Sequence, residues 1–334
     1  MRTRLFVVVF LLALAPAAFA QAAPKPACDS ACLKSYVDRY LDAMLAHDPS
    51  LTLFARDCKF TENGVRLPLG NEGLWFDMVG KGTYKFYIPD VETQQIAFIG
   101  TVKEKPATPA APASGANPAA KPPEPTLVAI ALRLKIQNGL IAEAEQLAIR
   151  PETSLFGGGI PSRFPPTGES VEKLGSPDPI FGEVIPEAER PSREELVKVA
   201  NYYFTGLQRN DTKGYYPFTD DALRRENGMV SCGSPPASTN GCKKQFESGQ
   251  LRNIVSRIRD RRFVAVDREH GIAFAFGFFD HEQINWTWQI AELFKIEKGN
   301  IRRVEAVFQR CPYGMNSGWS TYEQGISEEF QSIR

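Results

Sequence analysis

The chain has 334 residues, of which 39 are Lys or Arg, 39 are Asp or Glu and 43% are hydrophobic. A balanced charge offers no global attraction for nucleic acid, so no nucleic-acid partner is expected. At roughly 100–200 residues per domain, the length suits two domains that each bury a core.

The N-terminus sets the compartment. Arg2 and Arg4 precede the apolar run Leu5–Leu14, and Ala18-Phe19-Ala20 supplies the small-x-small pattern cut by signal peptidase. Residues 1–20 therefore read as a signal peptide, with an uncleaved anchor as the competing reading. The run is shorter than the about 20 residues a spanning helix needs. No later stretch is long and apolar enough to span, so the mature chain is expected to be exported, periplasmic or secreted, without membrane insertion. Losing Arg2 and Arg4 brings its net charge to about −2.

Six cysteines follow: Cys28, Cys32, Cys58, Cys232, Cys242 and Cys311. An even count in an oxidising compartment reads as disulfides. Three fall in each half, so either one bridge crosses between the halves or one pair stays reduced. Cys232 and Cys242 bracket a Gly/Ser/Pro-rich loop and are the expected pair. No metal is expected, because His47, His270 and His281 are not spaced near the cysteines.

Each half opens on a helix. Leu33, Tyr36, Val37, Tyr40, Leu41, Met44 and Leu45 mark one helical face, with Ser30 or Asp29 to cap it. Ser192 and Glu195 form a capping box before the stripe Leu196, Val199, Tyr203 and Leu207. Strand signals fill the rest, notably Ile272–Phe279 and Ile284–Ile296, and Asn138-Gly139 favours a hairpin.

The two halves repeat. Tyr40 to Asp48 resembles Tyr203 to Asp211, Phe54 to Asp57 matches Phe218 to Asp221 with one inserted residue, and Glu62-Asn63-Gly64 matches Glu226-Asn227-Gly228. Tyr84 to Asp90 lines up with Arg261 to Asp267, Leu134 to Ile141 with Phe294 to Ile301, and Glu145 with Glu305. The matches keep their order over residues 29–151 and 192–312, which chance similarity would not do. Residues 105–125 are almost all Pro, Ala, Lys and Gly and read as an extended, disordered loop inside the first copy. Residues 152–191 form a Pro-rich linker whose Phe156, Ile160, Phe164, Ile180 and Phe181 should lie against the domains. Residues 313–334 read as a tail.

The signature Tyr40…Asp48…Phe54…Asp57-Cys-Lys-Phe60, present in both copies, resembles the start of a nuclear-transport-factor-2-like (SnoaL-like) domain. The pairing of Thr61-Glu-Asn-Gly64 with Ile258–Arg262 and Phe279-Asp-His281 also resembles an uncharacterised family of secreted fungal and bacterial proteins. The resemblance implies an α+β fold of two cone-shaped domains, each with a long helix packed on a strongly curved mixed or antiparallel sheet. It implies no single function, since one cone hosts isomerases, dehydratases, hydrolases and non-catalytic binders.

Candidate chemistry concentrates in the second copy. Glu226 is a candidate general base, with a plain strand-ending turn as the other reading. Asp280 and His281 follow a strand whose Ala273, Ala275 and Gly277 could leave space for a ligand. Adjacent strand residues face opposite ways, so these two are not expected to form a dyad. Arg257 and Arg259, within the group Arg252 to Arg262 placed on a helix and the following strand, could grip a substrate anion or form ion pairs. Trp286 and Trp288 share a face and could stack on a ligand or fill core. No nucleotide-binding, nucleophile-elbow or zinc-peptidase motif is present, so no cofactor is expected. Three readings follow. One is an exported, cofactor-free acid–base enzyme of isomerase, lyase or hydrolase type acting on a small organic molecule. Another is a non-catalytic protein binding a small ligand or partner in the same cone. The third is a structural role at the cell surface, with the Pro/Ala loop as a spacer.

Overall fold

The computed structural model describes residues 27–106, 124–151, 165–233 and 241–334. The expected signal peptide, most of the Pro/Ala loop and the first part of the linker lie outside these residues.

In the first half, helix α1 (Ser30–Leu45) is followed by β1 (Phe54–Glu62), β2 (Val65–Arg66), α2 (Leu74–Asp77), β3 (Met78–Asp90), β4 (Gln95–Glu104), β5 (Thr126–Gln137) and β6 (Leu140–Ile149). The linker carries α3 (Thr167–Glu172). The second half has α4 (Arg193–Arg209), β7 (Phe218–Glu226), β8 (Met229–Cys232), α5 (Cys242–Glu247), β9 (Arg257–Asp267), β10 (Ile272–His281), β11 (Trp286–Glu297) and β12 (Asn300–Pro312). Residues read above as a tail form α6 (Tyr322–Ile326) and β13 (Phe330–Ser332).

The fold is α+β, with two separate mixed sheets. Their strand orders are β2-β1-β6-β5-β4-β3 and β13-β9-β10-β11-β12-β7-β8, so β13 alone breaks the match. The parallel pairings correspond as well. Phe54 sits against Ile141 and Glu62 against Gln146, as Phe218 sits against Ile301 and Glu226 against Ala306. Register shifts at Lys135/Ile136 and Lys295/Ile296 place a bulge at the same point of each second hairpin. Bulges of this kind bend a sheet into a cone.

Local chemistry explains the element ends. Asp29 caps α1 by accepting from the Cys32 N–H, and Ser192 with Glu195 closes a capping box on α4. Asn63-Gly64 and Asn227-Gly228 both take positive φ at the first hairpin of each sheet. Each Asn side chain also bonds a neighbouring strand's backbone, Asn63 at Ala148 and Asn227 at Phe308. Tight turns with positive φ recur at Asn138-Gly139 and Lys298-Gly299.

Every central strand has two buried faces. One face packs under its own long helix: Tyr40, Phe54, Trp75, Phe98 and Leu132 in the first domain, and Tyr203, Phe218, Phe246, Phe263 and Phe294 in the second. The other faces pack on each other, sheet to sheet, through Phe86, Ile99, Ala131, Leu147, Phe274, Leu293 and Val307, with Ile180 and Phe181 of the linker. Charged groups inside that interface are paired across it. Arg262 donates to both oxygens of Glu145 at 2.8 and 2.6 Å, and the Tyr84 hydroxyl donates to Glu305 at 2.9 Å. Arg193 and Asp90 form a further buried pair.

The C-terminal residues strap the two sheets together. β13 pairs in parallel with β9, and Gln95 of the first sheet donates to the Ile333 carbonyl. Trp319 lies under Lys59 and Arg133, with its indole N–H donated to Thr61. Two disulfides, Cys28–Cys32 and Cys232–Cys242, each close a short loop inside one half. Cys58 and Cys311 are free thiols.

Removing Glu145 strips buried Arg262 of its bidentate acceptor and leaves Asp260, at 3.3 Å, as its remaining anion. Glu145→Ala is expected to lower unfolding free energy by about 3–5 kcal/mol in urea denaturation, with part of the loss recovered in the Glu145→Ala/Arg262→Leu double variant. An undiminished midpoint for the single variant would contradict this account of the interface.

Candidate functional site

The residues singled out from sequence divide between the two faces of the second sheet. Of the arginine group read as a helix and the strand after it, Arg257 and Arg259 lie on the strand, β9, which pairs with β10. Asp280 is wholly buried on the interface side and accepts from Arg257 and Arg259, each at 2.8 Å, and from the Thr287 hydroxyl. Burial opposes ionisation of Asp280, but the bonds from Arg259, Arg257 and Thr287 hold its carboxyl below the usual range. The other Arg259 donors go to the carbonyls of Gly325 and Met315. This cluster ties β9 and β10 to the C-terminal strap, and its cations are committed to internal acceptors.

His281 points to the opposite, concave face. Its ring sits 4.4 Å from Trp288 and 6.2 Å from Trp286, centroid to centroid, and Trp288 stacks on Phe308 at 4.7 Å. Arg310 lies 3.7 Å over the Trp286 ring. These groups form an aromatic wall at the hairpin end of the cone. The structure thus groups His281 with the tryptophans and Asp280 with the arginines, and it places Glu226 with neither group.

Glu226 belongs to a third group, deeper in the same concave face. One row of cross-strand neighbours runs Ala275 of β10, Glu292 of β11, Ala306 of β12 and Glu226 of β7. The two glutamates are two strands apart, about 10 Å between backbones, with only a methyl group between them. Arg224 lies on the same face of β7. It donates to Ser231 at 2.8 Å, to the Tyr203 hydroxyl at 3.3 Å and to Gln245 at 3.0 Å, and sits 3.7 Å from Glu226. Disulfide Cys232–Cys242 joins β8 and α5, the two elements that supply Ser231 and Gln245.

Glu292 was not singled out from sequence. It is 1% exposed, neither carboxyl oxygen finds a close partner, and the Tyr203 hydroxyl is the donor that reaches toward it. Burial pushes its carboxyl up to about 8; the charge of Glu226 adds to the rise and Arg224 opposes it. Burial likewise raises the Tyr203 phenol. A signal was available: Glu292 is the lone acid within Gln289-Ile-Ala-Glu-Leu-Phe294, a run otherwise suited to a buried strand.

The same row in the first domain is Phe98, Leu132, Gln146 and Glu62. Bulk replaces the two alanines, and a leucine stands where Glu292 would be. Glu62 is satisfied there by the Leu74 N–H, by Gln146 and by Arg150. Tyr40 receives the Trp75 indole N–H and donates to Gln146. In the second domain Phe246 takes the place of Trp75 against the helix tyrosine, and it brings no polar hydrogen. Among the described residues, no group of three or more His, Cys, Asp or Glu side chains is placed to hold a metal ion.

A family profile described as Domain of unknown function (DUF8021) matches residues 189–308, which is the second domain. No curated protein matches the chain. Among solved structures, a de novo designed protein with a curved β-sheet is 16% identical, with TM-score 0.27, covering 36% of this chain and 88% of its own. An LEH-like epoxide hydrolase of M. tuberculosis is 14% identical, with TM-score 0.25, covering 36% and 86%. An NTF-2 like protein of unknown function from Burkholderia xenovorans LB400 is 12% identical, with TM-score 0.26, covering 38% and 94%. Likeness at this level adds nothing to the chemistry of the site.

The raised carboxyl of Glu292 links stability to pH. The folded chain keeps this proton up to about 8, whereas an unfolded glutamate loses it near 4.5. Between those values the folded state binds more protons, so the group's contribution falls as pH rises, by about 1.4 kcal/mol per unit. Glu292→Gln does not titrate. Its stability relative to the natural chain is therefore expected to climb from pH 5 to 8 in denaturant titrations, and a constant difference would refute the shifted carboxyl.

Proposed function

We propose that the chain is an exported protein of two nuclear-transport-factor-2-like domains, in which the second performs cofactor-free acid–base chemistry on a small organic molecule. The observation that carries this reading is the row Ala275, Glu292, Ala306 and Glu226, set against its filled counterpart in the first domain. A buried carboxyl with a raised proton affinity on the same face as a second carboxyl is a usual arrangement for an acid and a base in one site. Glu292, protonated at neutral pH, would donate to a carbonyl, ether or leaving oxygen. Glu226, at 14% side-chain exposure, is partly open to solvent and would take a proton from carbon or from attacking water. Arg224 would steady the negative charge of Glu226 and, through Tyr203, the developing charge on the substrate oxygen. Isomerisation, elimination and hydrolysis all fit this division of labour. Export is supported by the N-terminal leader pattern and by the two disulfides, which oxidising compartments maintain.

The enclosure of Glu292 favours a second reading, in which the cone binds a ligand without turning it over. One experiment separates the two. The mature chain is incubated with a panel of enones, β-hydroxy carbonyls, epoxides and lactones, and turnover and thermal shift are both recorded. Turnover is expected, with kcat lowered about 10²–10⁴-fold by Glu292→Gln or Glu226→Gln and unchanged in Glu62→Gln. Thermal shifts without turnover would establish the binding reading instead, and turnover insensitive to Glu292→Gln would end the acid–base assignment.

A further inference from the structure

A separate concave site lies where the two domains and the linker meet. It is a cleft of about 290 Å³ lined by Lys34 of α1, Lys85 and Tyr87 of β3, Phe181 of the linker, and Asp267 and His270 beside the β9–β10 turn. Domain junctions are common places for ligand sites, and this volume suits a molecule of small-aromatic size.

The charges around the cleft nearly all have partners. Lys85 meets Asp38 at 3.0 Å, and the Tyr87 hydroxyl donates to the same carboxylate. Asp178, also on the wall, is matched by Arg303 at 3.3 Å and Arg225 at 3.8 Å. His270 Nδ1 lies 2.8 Å from Asp267. Its backbone is pinned on both sides, the N–H by Asp267 and the carbonyl by Lys295. That leaves Nε2 as the ring nitrogen open to a ligand. Lys34, half-buried on α1, has neither ion-pair nor hydrogen-bond partner among the described residues. The wall therefore carries one unmatched ammonium, beside the edges of Phe181 and Phe86, whose tilted rings lie 4.8 Å apart.

We infer that this cleft binds a small organic monocarboxylate with a flat apolar body. Its carboxylate would pair with Lys34, and its flat body would lie along the apolar wall lined by Phe181 and Ile272. A phosphate dianion fits less well, because two aspartates share the wall and only one cation is unmatched. The inference does not depend on the chemistry of Glu292, which lies within the cone of the second domain, on the opposite face of its sheet from the interface.

Benzoate is the probe. Isothermal titration of the mature chain is expected to give a roughly millimolar Kd for benzoate, with the neutral isostere benzamide and inorganic phosphate each at least about tenfold weaker. Lys34→Met, at a helix surface position, should weaken benzoate at least about tenfold, while Glu292→Gln should leave it unchanged. Lys34→Glu should instead favour benzamidine over benzoate. Equal binding of benzoate and benzamide, indifference to Lys34→Met, loss of binding in Glu292→Gln, or no heat with benzoate would each overturn the assignment.

Discussion

The packing of one sheet on the other constrains everything else in this molecule. Because each sheet spends one face on its partner and the other on its own helix, its central strands have no wet side. A charged residue placed on such a strand can find an internal partner in its own sheet, as Asp280 does in Arg257 and Arg259. It can find a partner across the interface, as Arg262 does in Glu145, or it can turn into a cone and accept a shifted proton affinity, as Glu292 does. The unusual polarity inside the second domain thus follows from where burial leaves room for it.

The two halves use the same scaffold differently. Both keep the helix tyrosine, the strand-ending glutamate and the Asn-Gly turn that stitches β1 to β6 or β7 to β12. The difference lies in a few interior side chains. Phe98, Leu132 and Gln146 fill the first cone, and the Trp75 indole saturates Tyr40. Ala275, Ala306 and Phe246 leave the second with polar groups that are only partly satisfied. Asymmetry of this sort argues that one cone serves as a support while the other keeps a working interior.

Features written in local sequence were legible. The capping box at Ser192, the helical stripe from Leu33 to Met44, the Asn-Gly turns and the repeat itself depend on residues close together, and the fold class followed from them. The Cys232–Cys242 pairing was legible for the same reason. What depends on partners distant in sequence was not. The arginines around Arg259 look like a solvated group until Asp280 and the carbonyls of the strap are seen to take their hydrogens. Residues 313–334 look like a tail until Trp319 is found between Lys59 and Arg133. Glu292 escaped because its significance is a cross-strand property: it matters only once Ala275 and Ala306 are known to flank it. Glu226 was recognised as a candidate, but its associates, Arg224 and Tyr203, were not.

The interface extends this asymmetry between the halves. Glu145 and Glu305 occupy equivalent positions, opposite Thr61 and Arg225 in matching registers, and each looks across at the partner sheet. One meets a guanidinium and the other a phenol. Two identical copies of the first half would set both glutamates against Tyr84, with only Arg133 of their own sheet, 3.5 Å from Glu145, as a cation. Two copies of the second would set both against arginine and leave no phenol. The halves are therefore complementary and not self-complementary. A single chain keeps such unlike surfaces in step, because each always meets the other.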